Sequence, residues 1–385
     1  MKLEGLRVLD LSLFLPGPHL TMMMADHGAD VIKVEPPGGE PVRNVGYRTA
    51  DGVSVWFRNT HRGKRSAVLD LKSDAGLKSL LKLAESADVF VEAFRPGVAD
   101  RLGIGYDTLS ALNPRIVYAS ISAFGQTGPE AQRPAHDLAI QALAGTASLN
   151  LGSDGNPANP GMPVADMAAS LMSLSAILMA LLRREKTGRG DYIDMSMQDA
   201  VMAWLPNVTG PVFAEDRAPE VKNERSFGGY AFFRPYRTLD GKFVALGGVE
   251  HRFVETLLTA LDRADLIPAA KGPPGPGQRP VKDFLEATFA TRSRDDWEAW
   301  FQGRDVCFAP VLDLHEAFHR PHVAAREMLV RDDDGNLHIG MPIRFRNEPG
   351  RLEPRVPGLG QHTGEVLKEA GIPDDLIAEV LEAGR

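Results

Sequence analysis

The sequence predicts an α/β fold, with a large domain built on a parallel sheet and a smaller α+β domain. Strand-like and helix-like segments alternate through the first half of the chain, which is typical of parallel strands joined by right-handed crossovers. A later stretch carries a hairpin signature and therefore indicates antiparallel structure. With 385 residues, the chain also exceeds the length that usually forms a single core.

The first elements form a strand, helix, strand unit. Residues 6–12 (LRVLDLS) and 29–35 (ADVIKVE) are the predicted strands. The PGPHLTMMMADHG segment between them is a predicted helix, since Pro18 suits a first turn and Gly28 suits a helix end. These two strands are therefore expected to be parallel neighbours.

The same alternation continues towards residue 122. Strands are predicted at 66–71, 87–94 and 115–122, with an amphipathic helix over 74–87. Doubly wound sheets bind ligands beyond the carboxyl ends of their strands. One crevice should therefore be lined by the turns after Leu13, Glu35, Phe94 and Ile121.

A long apolar helix is predicted to begin near Asp166 and to end at Gly188. Leucines recur through it at three- and four-residue intervals, at Leu171, Leu174, Leu178, Leu181 and Leu182. Asp166 lies at its N-terminal end, where free backbone N–H groups and the helix dipole favour an anion. Position alone leaves two interpretations open, a reactive carboxylate and an ordinary N-cap.

The composition changes at Pro206, where a connector over 206–228 begins. AFFRPYRTL, the dipeptide Asp-Gly and KFVALGGV follow, and this order predicts a β-hairpin. The small domain is predicted to span 206–325, with a capping box at Ser293 and Asp296. The last segment, 326–385, ends in a predicted helix over 374–383.

Charge and cysteine content narrow the class of protein. The chain has 43 basic and 51 acidic residues, and this net charge of −8 argues against nucleic acid as a partner. Cys307 is the single cysteine, which excludes an internal disulfide, and its apolar neighbours place it in the core. No leader is expected, and the Met-rich helices are expected to be too short or interrupted to span a bilayer. A cytoplasmic location without a membrane partner is expected.

Several cofactor and catalytic motifs are missing from the sequence. No G-x-G-x-x-G follows a predicted strand and no Walker A motif occurs, so neither nicotinamide binding nor ATP-driven ligation is expected. G-x-S-x-G and H-E-x-x-H are absent, and HRPH at 319–322 matches no standard zinc spacing. We therefore expect no metal cofactor.

Basic residues follow several of the predicted strands instead. Arginine forks pair with phosphate oxygens, so a cluster of such residues suits a ligand with several phosphates. For any one of them a solvated surface position is the alternative. The candidates are Lys33, Arg43, Lys64, Arg65, Arg95 and Arg101.

The other polar candidates are His136 with Asp137, and Glu250 with His251. An imidazole exchanges protons near neutral pH, so a histidine paired with a carboxylate suits proton abstraction beside a carbonyl. His136 lies thirty residues before Asp166. Only tertiary packing can bring these two side chains together.

Long stretches of the chain resemble the class III CoA-transferase (CaiB/BaiF) family, which includes the α-methylacyl-CoA racemases. The resemblance covers nearly the whole chain. It is carried by LEGLRVLDLS, PGPHLTMMMADHGADVIKVEPPGG, RGKRSAVLDLKSDAG, FRPGVADRLGIGYDTL, NPRIVYASISAFGQTGP and ALLRREKTGRGDYIDMSMQDA.

The resemblance implies two interlocked subunits in a homodimer. Each would have a Rossmann-like large domain, made of residues 1–205 and 326–385, and a small domain from 206–325. It implies coenzyme A as part of an acyl-CoA substrate, with no permanently bound cofactor, and this gives the basic turns phosphates to bind. It also implies that Asp166 is the catalytic carboxylate.

Two reactions occur among the relatives that the chain resembles. In the racemases, a histidine and this aspartate exchange the proton next to the thioester; here these would be His136 and Asp166, with Glu250 orienting the imidazole. In the transferases, the aspartate attacks the thioester, forming an anhydride and then an aspartyl-CoA thioester, and CoA passes to a carboxylic acid acceptor.

Both reactions find support in this sequence. His136 with Asp137, DGKFVALGGVEHRF and DVCFAPVLDLHEAFHRPH resemble the racemases. KVEPPGGEP and IQALAG resemble the transferases, and ADMAAS lacks the glycines that usually follow the aspartate in both groups. The racemase reaction is the first expectation and the transferase reaction is the alternative.

Overall fold

The computed structural model describes residues 1–152 and 154–384, which divide into two compact units. Unit 1 comprises Met1–Thr146, Asn159–Trp204 and the described residues from Pro321 onward. Unit 2 comprises Leu205–Arg320 and the described residues of Ala147–Ala158. The sequence did not indicate that residues from the 147–158 segment group with the small domain.

Unit 1 is built on a six-stranded parallel sheet with the strand order β3-β2-β1-β4-β5-β6. Leu9 pairs with Ile32 on one side and with Phe90 on the other, so β1 is a central strand. The chain changes its direction of winding between β1 and β4, which is where such sheets bind ligands. The strands are β1 Arg7–Asp10, β2 Asp30–Glu35, β3 Arg65–Val68, β4 Val89–Glu92, β5 Val117–Ser122 and β6 Asp191–Ser196.

The predicted parallel sheet is therefore confirmed, with strand ends trimmed by a few residues. Strand β6 was not predicted, because its mostly exposed or half-buried residues, DYIDMS, give no continuous apolar run. The helices of this half are α1 Pro16–Asp26, α2 Val55–His61, α3 Asp74–Ala84, α4 Val98–Arg101, α5 Tyr106–Leu112, α6 Asp137–Leu143, α7 Val164–Thr187 and α8 Met197–Ala203.

A close backbone approach sets the turn between β1 and α1. A Cβ at Gly17 would lie 2.1 Å from the Ser12 hydroxyl, so only glycine lets the helix begin this near the strand end. The turn formed by Ser12, Leu13, Phe14 and Leu15 is thereby kept at the carboxyl edge of the sheet.

Unit 2 contains the predicted hairpin. Strands β7 Phe233–Arg237 and β8 Phe243–Gly247 are antiparallel, and β9 Phe308–Pro310 pairs with β8. Tyr236, Phe289 and Trp297 form the aromatic centre of its core. Its helices are α9 Gly210–Glu215, α10 His251–Ala260, α11 Ile267–Ala270, α12 Arg279–Phe289, α13 Arg294–Phe301 and α14 Leu314–Phe318.

Two further predictions concern this unit. The Ser293 side chain accepts a hydrogen bond from the backbone of Asp296, so the N-cap half of the predicted capping box is confirmed. The Asp296 carboxylate accepts from the Ser293 hydroxyl instead of the Ser293 backbone. Cys307 is exposed, and its assignment to the core is wrong. It precedes the edge strand β9, where side chains alternate between the core and solvent.

The final segment returns to unit 1. It forms α15 Pro321–Ala325, the antiparallel pair β10 Leu329–Arg331 and β11 Leu337–Ile339, and then α16 Thr363–Glu369 and α17 Asp374–Ala383. The predicted terminal helix is confirmed. Val366 and Leu367 of α16 and Ile377 of α17 join the core beside the sheet.

The core of unit 1 lies on both faces of the sheet. One buried cluster contains Leu20 of α1 and Ile177 of α7, and the other contains Leu80 of α3 and Leu109 of α5. Each sheet face is thus covered by helices, as expected for parallel strands that are apolar on both sides.

Helix α7 buries only part of the face that its leucines mark. Leu181 is buried and Leu174 packs against the core, whereas Leu171, Leu178 and Leu182 are exposed. The fully buried positions carry small or branched residues, namely Ala165, Ala168, Ala169, Ser170, Ser173 and Ile177. Small residues let α7 lie close to the sheet and α1, and three of the five leucines lie on the outside.

The length of α7 also corrects an expectation. It has 24 residues and a mean hydropathy of 1.8 over its most apolar window, so it is long and apolar enough to cross a membrane. A core helix can have the same composition. In this chain, Ala168 and Ile177 of α7 pack into the core of unit 1.

Candidate active site

A cavity of about 1030 Å³ lies in unit 1 at the carboxyl edge of the sheet. It is bordered by the turns that follow β1, β4 and β5 and by the first residues of α6 and α7. This is the crevice that the strand order predicts, except that the turn after Glu35 does not line it. The lining includes Phe14, Trp56, Arg95, Ser122, His136 and Asp166.

Unit 2 has a cavity of similar size, about 1090 Å³, with a different chemical character. Its charged lining residues are Lys222, Arg234, Arg279 and Lys282. None of the described residues that line it is a histidine or a carboxylate. Of these two cavities, only the one in unit 1 is lined by a histidine and carboxylates that could transfer protons.

Asp166 is the third residue of α7, and it does not cap the helix. Pro163 holds the N-cap position and makes no side-chain cap. Asp137 caps α7 from a neighbouring helix instead: its Oδ1 accepts from the backbone N of Ala165 at 2.8 Å and of Asp166 at 3.2 Å. The N-cap interpretation of Asp166 is therefore wrong.

This arrangement reverses the electrostatic expectation for Asp166. Burial raises the pKa of its carboxyl, the negative charge of Asp137 raises it further, and the resulting value is about 7. The N–H groups that were expected to favour the anion already bind Asp137. No described residue donates a hydrogen bond to the Asp166 carboxylate.

His136 stands at the N-cap position of α6, with an extended backbone at φ −124° and ψ 175°. Its ring is exposed in this chain and meets the edge of the Phe14 ring at a centroid distance of 5.6 Å and an angle of 79°. The fold thus brings His136 and Asp166 to one cavity. Their catalytic roles stay predictions.

Glu250 lies in unit 2 at the N-cap position of α10, and its side chain is exposed. Its carboxylate makes no cap hydrogen bond to that helix. The role predicted for it, orienting the imidazole of His136, stays a prediction.

Two of the predicted phosphate-binding cations are buried within unit 1. Lys33 and Lys64 are 0% and 4% exposed. Lys64 Nζ lies 3.0 Å from Asp10 Oδ2, and Lys33 Nζ lies 3.2 Å from Glu40 Oε2. Their charges are already balanced inside the protein, so the contacts give no support to phosphate binding by either lysine.

Two more of these cations are engaged in ion pairs at the sheet edge. Arg43 binds both carboxylate oxygens of Glu35 at 2.7 Å. Arg65 binds Asp30 at 2.7 Å and also contacts Glu365 and Glu369. Both arginines thus have structural partners, and their predicted ligand role also lacks support from the contacts.

Arg95 and Arg101 differ from the other four. Both are exposed, and neither forms an ion pair with a described residue. Arg95 follows β4 and lines the cavity that holds His136 and Asp166. These two are the predicted cations that a phosphate could reach in this chain.

Sequence reasoning missed other groups at the cavity. Trp56 and Ser122 each carry a buried polar atom, Nε1 and Oγ, without a hydrogen-bond partner among the described residues. The role of Asp137 as the cap of α7 was also missed, since its contact spans 28 residues of sequence. A serine at the carboxyl end of β5 was the one signal available beforehand.

Comparisons with known proteins agree on one family. The model of CoA-transferase family III matches residues 3–363. Human alpha-methylacyl-CoA racemase is 34% identical, covering 99% of this chain and 96% of the relative. Acetyl-CoA:oxalate CoA-transferase from Acetobacter aceti is 34% identical, covering 96% of each.

The fold gives the same result. The crystal structure of a CAIB/BAIF family protein from Brucella suis superposes with a TM-score of 0.82 and 31% sequence identity. The match covers 96% of this chain and 99% of that one. The six-stranded parallel sheet is thus shared with a solved relative.

Proposed function

Because the chain belongs to CoA-transferase family III, we propose that it acts on acyl-CoA thioesters and exchanges the proton on the carbon next to the thioester carbonyl. His136 and Asp166 are the proposed acid and base. Coenzyme A is part of the substrate, and no permanently bound cofactor is involved.

One observation carries this choice of reaction: the cavity that holds His136 also holds an aspartate whose pKa is raised to about 7. A carboxyl with this pKa is present both as the acid and as its anion near neutral pH. Proton exchange in both directions requires both forms of each catalytic group. A permanently ionised aspartate would serve in one direction only.

The proposed step balances without a second substrate. The neutral imidazole of His136 takes the proton, the electron pair of the C–H bond forms the thioester enolate, and protonated Asp166 supplies a proton to the other face. The reverse reaction starts from the Asp166 anion and the His136 imidazolium. The product differs from the substrate only in its configuration at that carbon.

The second candidate reaction is CoA transfer, and a different feature of Asp166 favours it. No described residue hydrogen-bonds its carboxylate, which leaves the oxygens free for attack on a thioester carbonyl. The acyl group would form an anhydride with Asp166 as CoA leaves as the thiolate. The thiolate would then attack the Asp166 carbonyl, which releases the first acyl group as its carboxylate and leaves a thioester on Asp166. An acceptor carboxylate would displace CoA from that thioester to form a second anhydride, and CoA would attack the acceptor's carbonyl and free the Asp166 carboxylate. In this reaction His136 only shapes the acyl pocket.

Incubation with a 2-methylacyl-CoA in heavy water separates the two reactions. Proton exchange predicts deuterium at the carbon next to the carbonyl, lost in both His136→Asn and Asp166→Asn. Transfer predicts no deuterium, CoA on an added carboxylic acid, and an adduct at Asp166 that hydroxylamine cleaves. The second result would replace our first proposal.

Arg95 is the proposed contact for the phosphates of coenzyme A, and Arg101 is a second candidate. Both guanidinium groups are exposed, and a guanidinium can bind phosphate with two hydrogen bonds. Calorimetry with coenzyme A alone would test this assignment, because it requires no turnover.

We further propose that the protein is a homodimer with interlocked subunits. On helix α7, Met179 is 69% exposed and Leu182 is 71% exposed. Phe213 in unit 2 is 83% exposed. Large apolar side chains on the outside support a partner surface. Light scattering should give twice 41.8 kDa, and differently tagged dimers should not exchange subunits without denaturant. Folded monomers on dilution would disprove interlocking.

A further inference from the structure

Phe14 has a backbone conformation that bulky residues rarely adopt. Its φ is 64°, in the left-handed region, although it carries a large side chain. In this conformation its ring lines the cavity and stands against His136 at 5.6 Å. The position of the ring therefore depends on whatever holds residue 14 in this state.

Glu40 makes the contact that holds it. Glu40 Oε1 accepts a hydrogen bond from the backbone N of Phe14 at 2.9 Å, and the Glu40 side chain is fully buried. The Glu40 backbone N donates to Glu35 Oε2 at 2.9 Å. The Pro36–Gly39 turn therefore holds the Glu40 carboxylate next to the backbone of Phe14.

Lys33 ties the same carboxylate to the other end of the turn. Its Nζ lies 3.2 Å from Glu40 Oε2 and also donates to the backbone O of Ser12. Both ends of the turn from Ser12 to Phe14 are thus bound to one buried ion pair. A continuous series of contacts leads from Lys33 through Glu40 and Phe14 to His136.

We propose that Glu40 is a positioning residue for His136, acting through Phe14; this role rests on the proposed proton exchange. A carboxylate is required because one oxygen accepts from the Phe14 N–H while the other lies 3.2 Å from the Lys33 ammonium and balances its charge. A glutamine that keeps its oxygen on the Phe14 N–H turns an NH₂ group towards that ammonium. The buried ion pair that holds the turn is then lost.

A double-mutant cycle with Glu40→Gln and Phe14→Leu tests the proposal. Each change should lower kcat for deuterium uptake by on the order of tenfold, because a misplaced imidazole loses reactive geometry. KM of Glu40→Gln should change less than about twofold, since Glu40 does not reach the cavity. The double variant should lose no more than either single one. Losses that multiply would mean that Glu40 does not act through Phe14.

The rate at which diethyl pyrocarbonate modifies His136 gives a readout that needs no turnover. Peptide mass spectrometry follows this residue separately from the other histidines. Glu40→Gln and Phe14→Leu should shift the rate in the same direction, and the double variant should shift it no further. Unchanged modification in both single variants would overturn the positioning role. If these shifts occur but the wild-type protein incorporates no deuterium, only the proposed reaction fails.

Asp26→Asn is the matched control for the loss of a buried carboxylate. Asp26 pairs with Arg62 at 2.7 Å in unit 1, and it does not line the cavity. It should lower thermal stability without changing the modification rate of His136. Should Glu40→Gln fail to fold, Phe14→Leu decides alone: an unchanged rate in that variant would contradict the proposal.

Discussion

Asp10 and Asp166 both lie near the carboxyl edge of the sheet in unit 1, and their contacts differ. Asp10 is fully buried and accepts hydrogen bonds from the Ser12 and Thr21 hydroxyls and from Lys64. Burial would raise the pKa of its carboxyl, but Lys33, Lys64 and the two hydroxyls outweigh burial and hold the pKa far below its usual range.

Asp166 is also largely buried, but among the described residues no lysine or hydroxyl compensates its charge as in Asp10. The pKa of its carboxyl rises to about 7, because burial and the Asp137 charge both act against the anion. The difference shows that depth alone does not mark a reactive carboxylate. What marks it is the absence of partners, which leaves the group able to change its protonation state.

The largest effect that this comparison predicts is on activity. Asp166→Asn should lower the rate of deuterium uptake by on the order of 10³-fold, because one of two acid and base groups is lost. Its free energy of unfolding should stay the same or rise by about 0.5–2 kcal/mol, since the substitution removes a buried charge that Asp137 repels. Retention of most of the exchange rate would show that Asp166 is not the acid or base.

Asp10→Asn should have the opposite consequence. The free energy of unfolding should fall by about 3–5 kcal/mol, because Lys33 and Lys64 would lose a buried partner charge. Urea denaturation measures this fall, and Asp166→Asn serves as the control of equal size. A loss below about 1 kcal/mol would mean that the buried network does not depend on the Asp10 charge.

The sheet and the active-site pair illustrate what sequence patterns can reveal. The strands around Leu9 and Ile32 were predictable because parallel strands carry short apolar runs between turn residues. His136 and Asp166 were candidates from residue type and position, and the family resemblance paired them as acid and base. No periodicity predicts that residues this far apart will border one cavity.

The buried ion pairs could not be read from the sequence. Asp10 and Lys64 are 54 residues apart in the sequence. The residues around Arg62 and Lys64 form a basic cluster of the kind usually found on a surface. Three leucines of α7, Leu171, Leu178 and Leu182, are exposed for a related reason. Helical period identifies an apolar face, but it does not say whether that face meets the core or another surface.

Arg95 and Arg65 also differ in their partners, and we expect a smaller effect, on coenzyme A binding. Arg95→Gln should weaken coenzyme A binding by about tenfold, which is the contribution of one charge-assisted contact. Arg65→Gln should change binding less than about twofold, because Asp30, Glu365 and Glu369 already occupy that guanidinium. Calorimetry measures both values. Equal losses would mean that the paired arginines also bind the ligand.

The smallest expected effect is that of Asp137→Asn on the pKa of Asp166. Asparagine at position 137 keeps an oxygen that can accept from the N–H groups of Ala165 and Asp166, so α7 stays capped. Only the negative charge near Asp166 is removed. The pKa of Asp166 should then fall below about 7 and remain raised, because burial is the larger of its two causes.

The dependence of stability on pH reports this shift. Native Asp166 keeps its proton up to about pH 7, whereas an unfolded aspartate loses it near about pH 4, so the native state binds the extra proton between these values. The contribution of Asp166 to stability is therefore full below pH 4 and declines as pH rises towards 7. In Asp137→Asn this decline should end at a lower pH, and in Asp166→Asn it should be absent. The double variant corrects for any titration of residue 137 itself. A decline that is identical with and without the Asp137 charge would show that burial alone sets the pKa of Asp166.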